Sequence, residues 1–136
     1  MDILLDTCAV IWLSQDEPLA QEGDHAIASC VEAGGRLMVS PITAWEIGLL
    51  VSRGRLPLTM DPKAWFRAFL ERGQVSLAPM TPETLIDSSF LPESKLTDPA
   101  DRIVVATARA MQMPILTRDR RILAYARTGH VEAIIC

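Results

Sequence analysis

The stretch Leu37-Met38-Val39-Ser40-Pro41-Ile42-Thr43-Ala44-Trp45-Glu46-Ile47 decides the fold class. Leu37-Met38-Val39 is an apolar run with the length of a short buried strand, and Ser40-Pro41 follows it directly. Serine is a good N-cap because its hydroxyl accepts from a free backbone N–H, and proline suits the first helical position, where its missing N–H is not needed. A helix is therefore expected from Pro41 to near Arg53, stopped by Gly54. A strand that passes at once into a helix is the repeating unit of an α/β sheet.

The same alternation runs outward in both directions. Upstream, Ile3-Leu4-Leu5 reads as a buried strand ending at Asp6, and a helix is expected from about Pro18 to Ala33, closed by Gly34-Gly35. Downstream, Asp61-Pro62 opens a helix carrying Trp65, Phe66, Phe69 and Leu70 and ending near Gly73, and Val75 to Leu77 is a further candidate strand. Thr81-Pro82-Glu83 caps a short helix, Asp98-Pro99 caps another over 99–112, and Ile115-Leu116 is a strand ending at Thr117. Arg120 to Arg127 is helical, and Val131 to Ile135 is the last strand. The expectation is an α/β fold with a mainly parallel central sheet of four to five short strands and helices on both faces. In such sheets, sites gather at the carboxyl ends of the strands.

Composition bounds the possibilities. With 136 residues, 49% hydrophobic and 22% charged, the chain fits a single domain over 1–136 with a core that needs no disulfide staples. Cys8, Cys30 and Cys136 are odd in number, widely spaced and free of any C-x-x-C, so a reduced, cytoplasmic protein without a cysteine zinc site is expected. The first residues, MDILLDTCAV, carry two acids and no basic segment, unlike a signal peptide, and no apolar run approaches the roughly 18 residues of a membrane span. The net charge of −4 is unlike that of a basic nucleic-acid binder, yet local patches decide binding, and carboxylates gathered round a cation inflate the negative count.

Four acids stand where an ordinary structural role is strained. Asp6 ends an apolar strand, a place that equally suits an Asx-turn or the N-cap of a segment beginning at Cys8. Glu46 lies in mid-helix with Ile42, Leu49 and Leu50 at i−4, i+3 and i+4, so its charge rests on an apolar stripe. A buried ion pair would compensate it, but Arg53 and Arg55 are too far along the helix, and a metal cation would serve better. Asp101 is the third helical residue after Asp98, where it complements the helix dipole, yet its neighbours Val104 and Val105 turn it inward. Asp119 follows the strand ending at Thr117 and suits an N-cap equally well.

Together these roles ask for four inward-facing acids on one side of a sheet. Close carboxylates raise one another's pKa unless a cation lies between them. Oxygen-rich sites favour Mg²⁺ or Mn²⁺, with waters completing the shell. The two histidines, His25 and His130, lie near none of these acids, which argues against zinc and against an imidazole base.

Leu5-Asp6-Thr7, Ser40-Pro41-Ile42-Thr43-Ala44-Trp45-Glu46-Ile47, Asp98-Pro99-Ala100-Asp101-Arg102 and Leu116-Thr117-Arg118-Asp119, in that order, resemble a PIN domain, specifically the VapC-type toxins of bacterial toxin–antitoxin pairs. The resemblance spans essentially the whole chain. It implies a PIN-like fold and a metal-dependent endoribonuclease with Asp6, Glu46, Asp101 and Asp119 as catalytic, metal-holding acids. It places Asp98 in an assisting position, and Thr7 and Thr117 beside the site as small hydroxyl residues. It further implies one or two Mg²⁺ or Mn²⁺ ions, an RNA substrate, a cognate antitoxin and a homodimer. In-line attack by a metal-activated water would leave 5′-phosphate and 3′-hydroxyl ends. Arg118 and Arg120 flank Asp119 and are expected to hold substrate phosphates, while Arg102 could brace a carboxylate. Trp45, Trp65, Phe66 and Phe69 could stack bases, but helical spacing favours the core or a partner surface for them.

Other readings fit less well. A haloacid-dehalogenase-like phosphatase needs an acid where Cys8 stands, and a signalling receiver domain needs a late lysine that neither Lys63 nor Lys95 supplies. A catalytically silent PIN-like module that acts through partner binding would tolerate loss of the acids, and all four are present. An RNA-processing nuclease without an antitoxin would share every site feature.

Overall fold

The computed structural model describes all 136 residues. Five three-residue strands, β1 (Ile3–Leu5), β2 (Leu37–Val39), β3 (Val75–Leu77), β4 (Ile115–Thr117) and β5 (Ala133–Ile135), form one sheet in the order β3-β2-β1-β4-β5. Every neighbouring pair is parallel, with Ile3, Leu4 and Leu5 of β1 opposite Leu37, Met38 and Val39 of β2. Seven helices surround it: α1 (Thr7–Ser14), α2 (Gln21–Glu32), α3 (Pro41–Ser52), α4 (Pro62–Gly73), α5 (Pro82–Asp87), α6 (Pro99–Met111) and α7 (Arg120–Ala126).

Successive strand residues point to opposite faces, and both faces here are apolar. Leu4, Met38 and Ile115 enter one cluster with Val104, Val105, Ile122 and Tyr125. Ile3, Leu5, Val39 and Leu116 enter the other with Val10 and the half-buried Ile27, Trp65, Phe66 and Phe69. Covering on both sides is why the strands read as continuous apolar runs rather than alternating ones. Truncating one of the fully buried residues, such as Leu4 or Leu116, to alanine would cost about 2–5 kcal/mol.

Side chains accept from free N–H groups at the start of every helix except α2, with Asp6, Ser40, Asp61, Thr81, Asp98 and Asp119 as the caps. Helix α2 departs from expectation: it begins at Gln21, not near Pro18, after an uncapped Ala20. Residues 18–20 are held outside the helix against Cys136, where the Ala20 N–H donates to the Cys136 carbonyl at 3.2 Å and Arg118 Nη2 donates to the Pro18 carbonyl at 3.3 Å. Strand β5 is likewise shorter than expected, because Val131 turns into the core before pairing begins.

The topology opens one crevice. From β1 the chain passes into α1, whose Ala9 and Val10 pack on one face; from the adjacent β4 it passes into α7, whose Ile122 and Tyr125 pack on the other. Neighbouring strands whose chains leave toward opposite faces leave a gap at their carboxyl ends, the usual ligand position in open parallel sheets.

Candidate active site

Asp6 and Asp119 sit in that gap, after β1 and β4 respectively. Each caps the helix that follows it. Asp6 Oδ1 accepts from the Thr7 N–H at 2.9 Å, while Oδ2 accepts from the Thr117 hydroxyl at 2.7 Å and from the Cys8 thiol at 3.4 Å. Asp119 Oδ1 accepts from the Arg121 and Ile122 N–H groups at 2.8 and 3.2 Å, leaving Oδ2 free. Thr117 joins the two acids, since its Oγ1 also accepts from the Asp119 N–H at 2.9 Å.

Helices α3 and α6 bring the other two acids. Glu46 lies three residues after the fully buried Thr43, on the same helix face. The Thr7 hydroxyl donates to Glu46 Oε1 at 2.6 Å and lies 3.0 Å from Thr43 Oγ1. Asp98 caps α6 by accepting from the Asp101 N–H at 2.9 Å, which sets the Asp101 side chain in the first turn. Asp101 is 9% exposed.

The acids raise one another's pKa. Burial pushes the Asp101 carboxyl up to about 7, and the charges of Asp119, Asp98, Asp6 and Glu46 add to the shift. Burial also raises Asp6, opposed by its bonds from Thr117, Thr7 and Cys8. It raises Glu46 as well, opposed by Thr7 and reinforced by Asp6, Asp98 and Asp119. No basic side chain neutralises any of them, because the ion pairs of the molecule are Arg36–Asp2 and His130–Glu93, both remote from the crevice.

The donor set suits a hard divalent cation: carboxylate and hydroxyl oxygens, no histidine, and a single thiol, that of Cys8, whose pKa is raised by its hydrogen bond to Cys136 and by burial. No three of these side chains are close enough to enclose an ion directly, so a bound ion would keep bridging waters or draw the acids inward. Mg²⁺ commonly keeps several waters in this way.

Two arginines differ from expectation. Arg118 is not placed to hold a phosphate: Nε donates to the Cys136 carbonyl at 2.9 Å, Nη2 reaches Pro18, and the guanidinium lies 3.6 Å above the Trp12 ring. Its side chain ties the chain end to α1. Arg102 braces no carboxylate either, donating instead to the carbonyls of Ser88 and Leu96 at 2.7 and 2.5 Å. Arg120 is exposed beside Asp119. Trp65, Phe66 and Phe69 pack against the sheet, whereas Trp45 is 55% exposed. Thr43 and Cys8 also border the site, Thr43 Oγ1 beside the Thr7 hydroxyl and the Cys8 thiol on Asp6 Oδ2. Thr43 was detectable from its i, i+3 relation to Glu46, but Cys8 carried no comparable signal.

Comparison with known proteins agrees with this arrangement. The PIN domain family matches residues 3–128. Ribonuclease VapC22 of Mycobacterium tuberculosis is 30% identical over 123 residues, covering 90% of this chain and 91% of the relative. Among solved structures, VapBC2 from Rickettsia felis bound to a promoter DNA fragment superposes with a TM-score of 0.72 at 13% identity, covering 99% of this chain and 98% of the other. VapBC-5 from Mycobacterium tuberculosis gives 0.60 at 20% identity over 99% and 98%. At these identities the superpositions establish the fold, while the family match and the VapC relative establish kinship. With its crevice of carboxylates at the β1–β4 junction, the chain belongs to the PIN-domain family.

Proposed function

We propose that this protein is a divalent-metal-dependent endoribonuclease and the toxin of a toxin–antitoxin pair. The reading is supported by the charges of Asp119, Asp98, Asp6 and Glu46 acting on the buried Asp101 with no ion pair to a basic side chain among them. A bound Mg²⁺ or Mn²⁺ supplies the positive charge that activates water and offsets charge building on the phosphoryl oxygens. Asp6 and Asp101 are assigned as direct ligands. Glu46 and Asp119 would help to hold the same ion or a second one.

The chain's own groups prepare the crevice. Thr117 and Thr7 fix the Asp6 and Glu46 carboxylates by donating to one oxygen of each. Asp98 orients the first turn of α6, and Asp101 keeps both its oxygens clear of protein donors. Its raised pKa means that it exchanges a proton for a metal contact close to neutral pH. Arg120, exposed and next to Asp119 in the chain, is assigned to hold a substrate phosphate.

The antitoxin and homodimer are assigned from the VapBC relatives together with the surface. Pro41, Ile42, Trp45, Met80 and Ile103 line one apolar depression with Trp45 and Met80 exposed, and Ile86 and Phe90 are also exposed, at 61% and 78%. Exposed apolar area of this kind marks association surfaces, and we assign self-association to the face around Trp45.

The test is to sequence RNA ends after expression of wild type and Asp6→Asn. The reading expects new 5′-phosphate ends at defined positions with wild type alone. Equal ends in both, or purified wild type that cleaves RNA undiminished in excess EDTA, would remove it.

A further inference from the structure

Charge is segregated along this chain. Residues 53–72 hold five of the thirteen basic side chains and two of the seventeen acids, so this segment is positive within a chain of net charge −4. The five are Arg53, Arg55, Lys63, Arg67 and Arg72, and all are exposed. None has an ion-pair partner, because the ion pairs of the molecule are Arg36–Asp2 and His130–Glu93. Asp61, which lies among them, is engaged as the cap of α4, accepting from the Ala64 N–H at 3.1 Å. Other arginines are tied to the backbone: Arg102 and Arg118 hold carbonyls near the crevice, and Arg109 donates to the His130 carbonyl at 2.6 Å.

The fold connects this segment to the crevice. Arg53 caps α3 seven residues after Glu46, so the two share a helix face to within about 20° and lie about 10 Å apart along the axis. The half-buried Leu49 and Leu50 stand between them on that face. The turn after α3 is firmly held. Gly54 takes a left-handed φ of 68°, the Arg53 and Arg55 N–H groups donate to the Leu49 and Leu50 carbonyls at 3.0 and 2.8 Å, and Leu56 is buried. Helix α4 then packs against α3. Arg72 lines a cavity with Ser14, Asp16, Trp65 and Phe69, whereas Lys63 and Arg67, one helical turn apart, lie on the opposite flank of α4.

We propose that Arg53, Arg55, Lys63 and Arg67 form a phosphate track for single-stranded RNA, leading the substrate strand from the α3–α4 turn along the Glu46 face of α3 into the carboxylate crevice. The track rests on the reading of the crevice as a ribonuclease site and supplies what that site lacks. Acids repel a polyanion, so the attraction that holds the strand must come from cations outside the acid cluster. Arg102 and Arg118 are tied to carbonyls and cannot provide it. Guanidinium groups match phosphate geometry, and a single strand can lay its bases on apolar side chains such as Leu49 and Leu50 while its backbone follows the charges. An acidic protein segment would feel the same charges, but the alignment of Arg53 with Glu46 favours the strand that is cut beside Glu46.

The experiment is fluorescence anisotropy of a labelled, mixed-sequence single-stranded RNA on the full chain in EDTA, over a range of salt. The doubles Arg53→Gln with Arg55→Gln and Lys63→Gln with Arg67→Gln should each lower the salt slope by about 1.4 and weaken binding roughly 10-fold at physiological salt. Arg53→Lys with Arg55→Lys should keep the slope. Tm and Mn²⁺ binding should not change in the glutamine doubles, since the four side chains are exposed and unpaired, and in cleavage the loss should fall mainly on KM. A wild-type slope in either glutamine double would overturn the proposal. So would a poly-glutamate peptide that wild type binds as tightly as RNA and through the same residues, which would give the surface to an acidic protein segment. Binding is read without cleavage. A chain whose variants lose binding as expected, but which cuts no RNA in Mn²⁺, would therefore count against the nuclease reading alone. A chain that cuts RNA while its variants keep the wild-type slope would count against the track alone.

Discussion

The Thr117 hydroxyl donates to Asp6 Oδ2 at 2.7 Å, linking the carboxyl ends of β4 and β1 across the gap between them. Thr117 is fully buried and also accepts from the Asp119 N–H, so one side chain sets the positions of two acids. Thr117→Val keeps the shape and deletes both bonds. It should lower cleavage about 10–100-fold, as loss of a ligand-orienting group commonly does. It should also reduce stability by about 1–3 kcal/mol, because Asp6 loses its shortest hydrogen bond. Thr117→Ser should recover most of both. Single-turnover kinetics and urea unfolding of the two variants check this.

Asp101 separates function from stability. It is buried among like charges and takes no hydrogen bond from the protein, so Asp101→Asn removes repulsion and little else. The variant should unfold no more easily than wild type without metal, yet lose at least about 100-fold in cleavage. Thermal unfolding in EDTA beside a cleavage assay in Mn²⁺ gives both numbers.

The pH dependence follows from the same residue. Its carboxyl stands at about 7 in the folded chain against 3.8 ordinarily, so the folded state holds this proton more tightly than the unfolded state does. That contribution to stability is complete below pH 3.8, is lost as pH rises through about 7, and is flat above. Burial shifts Asp6 and Glu46 in the same direction. In EDTA, Tm should therefore fall between about pH 5 and pH 8, the fall should shrink in Asp101→Asn, and Mn²⁺ should restore Tm at the upper end. A Tm in EDTA that climbs across this range would contradict the assignment.

The two arginines beside Asp119 should behave oppositely. Arg118→Met loses its bonds to Cys136 and Pro18 and its place over Trp12, which should cost about 1–2 kcal/mol of stability and leave the salt dependence of RNA binding intact. Arg120→Gln should leave stability unchanged and reduce the salt slope of RNA binding by about one charge. Urea unfolding and binding titrations over a range of salt separate them.

Self-association through the α3 face predicts that Trp45→Glu places a charge on a surface that must become dry. Light scattering should find wild type dimeric and the variant monomeric at the same concentration, with the fold kept, because Trp45 is 55% exposed in the single chain. A monomeric wild type would remove the assignment.

Much of this was legible in the sequence because local rules and global fold agree. Ser40-Pro41, Asp61-Pro62, Thr81-Pro82 and Asp98-Pro99 each announce a helix start, and all four helices begin there. The central strands β1, β2 and β4 were legible because burial on both faces removes the polar residues that would blur them. What local rules missed depends on contacts between distant segments. The non-helical course of residues 18–20 is held by Cys136 and Arg118, which no window around Pro18 contains. Arg118 looked like a phosphate ligand from its position beside Asp119, and only the return of β5 along β4 shows what it holds. For Asp6 the choice between cap and crevice acid is a false one, since Oδ1 caps α1 while Oδ2 takes the Thr117 hydroxyl; in Asp119, Oδ1 caps α7 and Oδ2 is left free.

The central claim is that the crevice needs a divalent cation to balance acids that nothing else in the chain balances. Calorimetric titration of Mn²⁺ into metal-free wild type and Asp101→Asn at neutral pH tests it most directly. The account predicts saturable binding of one or two ions by wild type, accompanied by proton release, and binding weakened by at least about 10-fold in the variant. Wild-type protein that takes up no ion, or a variant that binds as tightly with the same proton release, would contradict it.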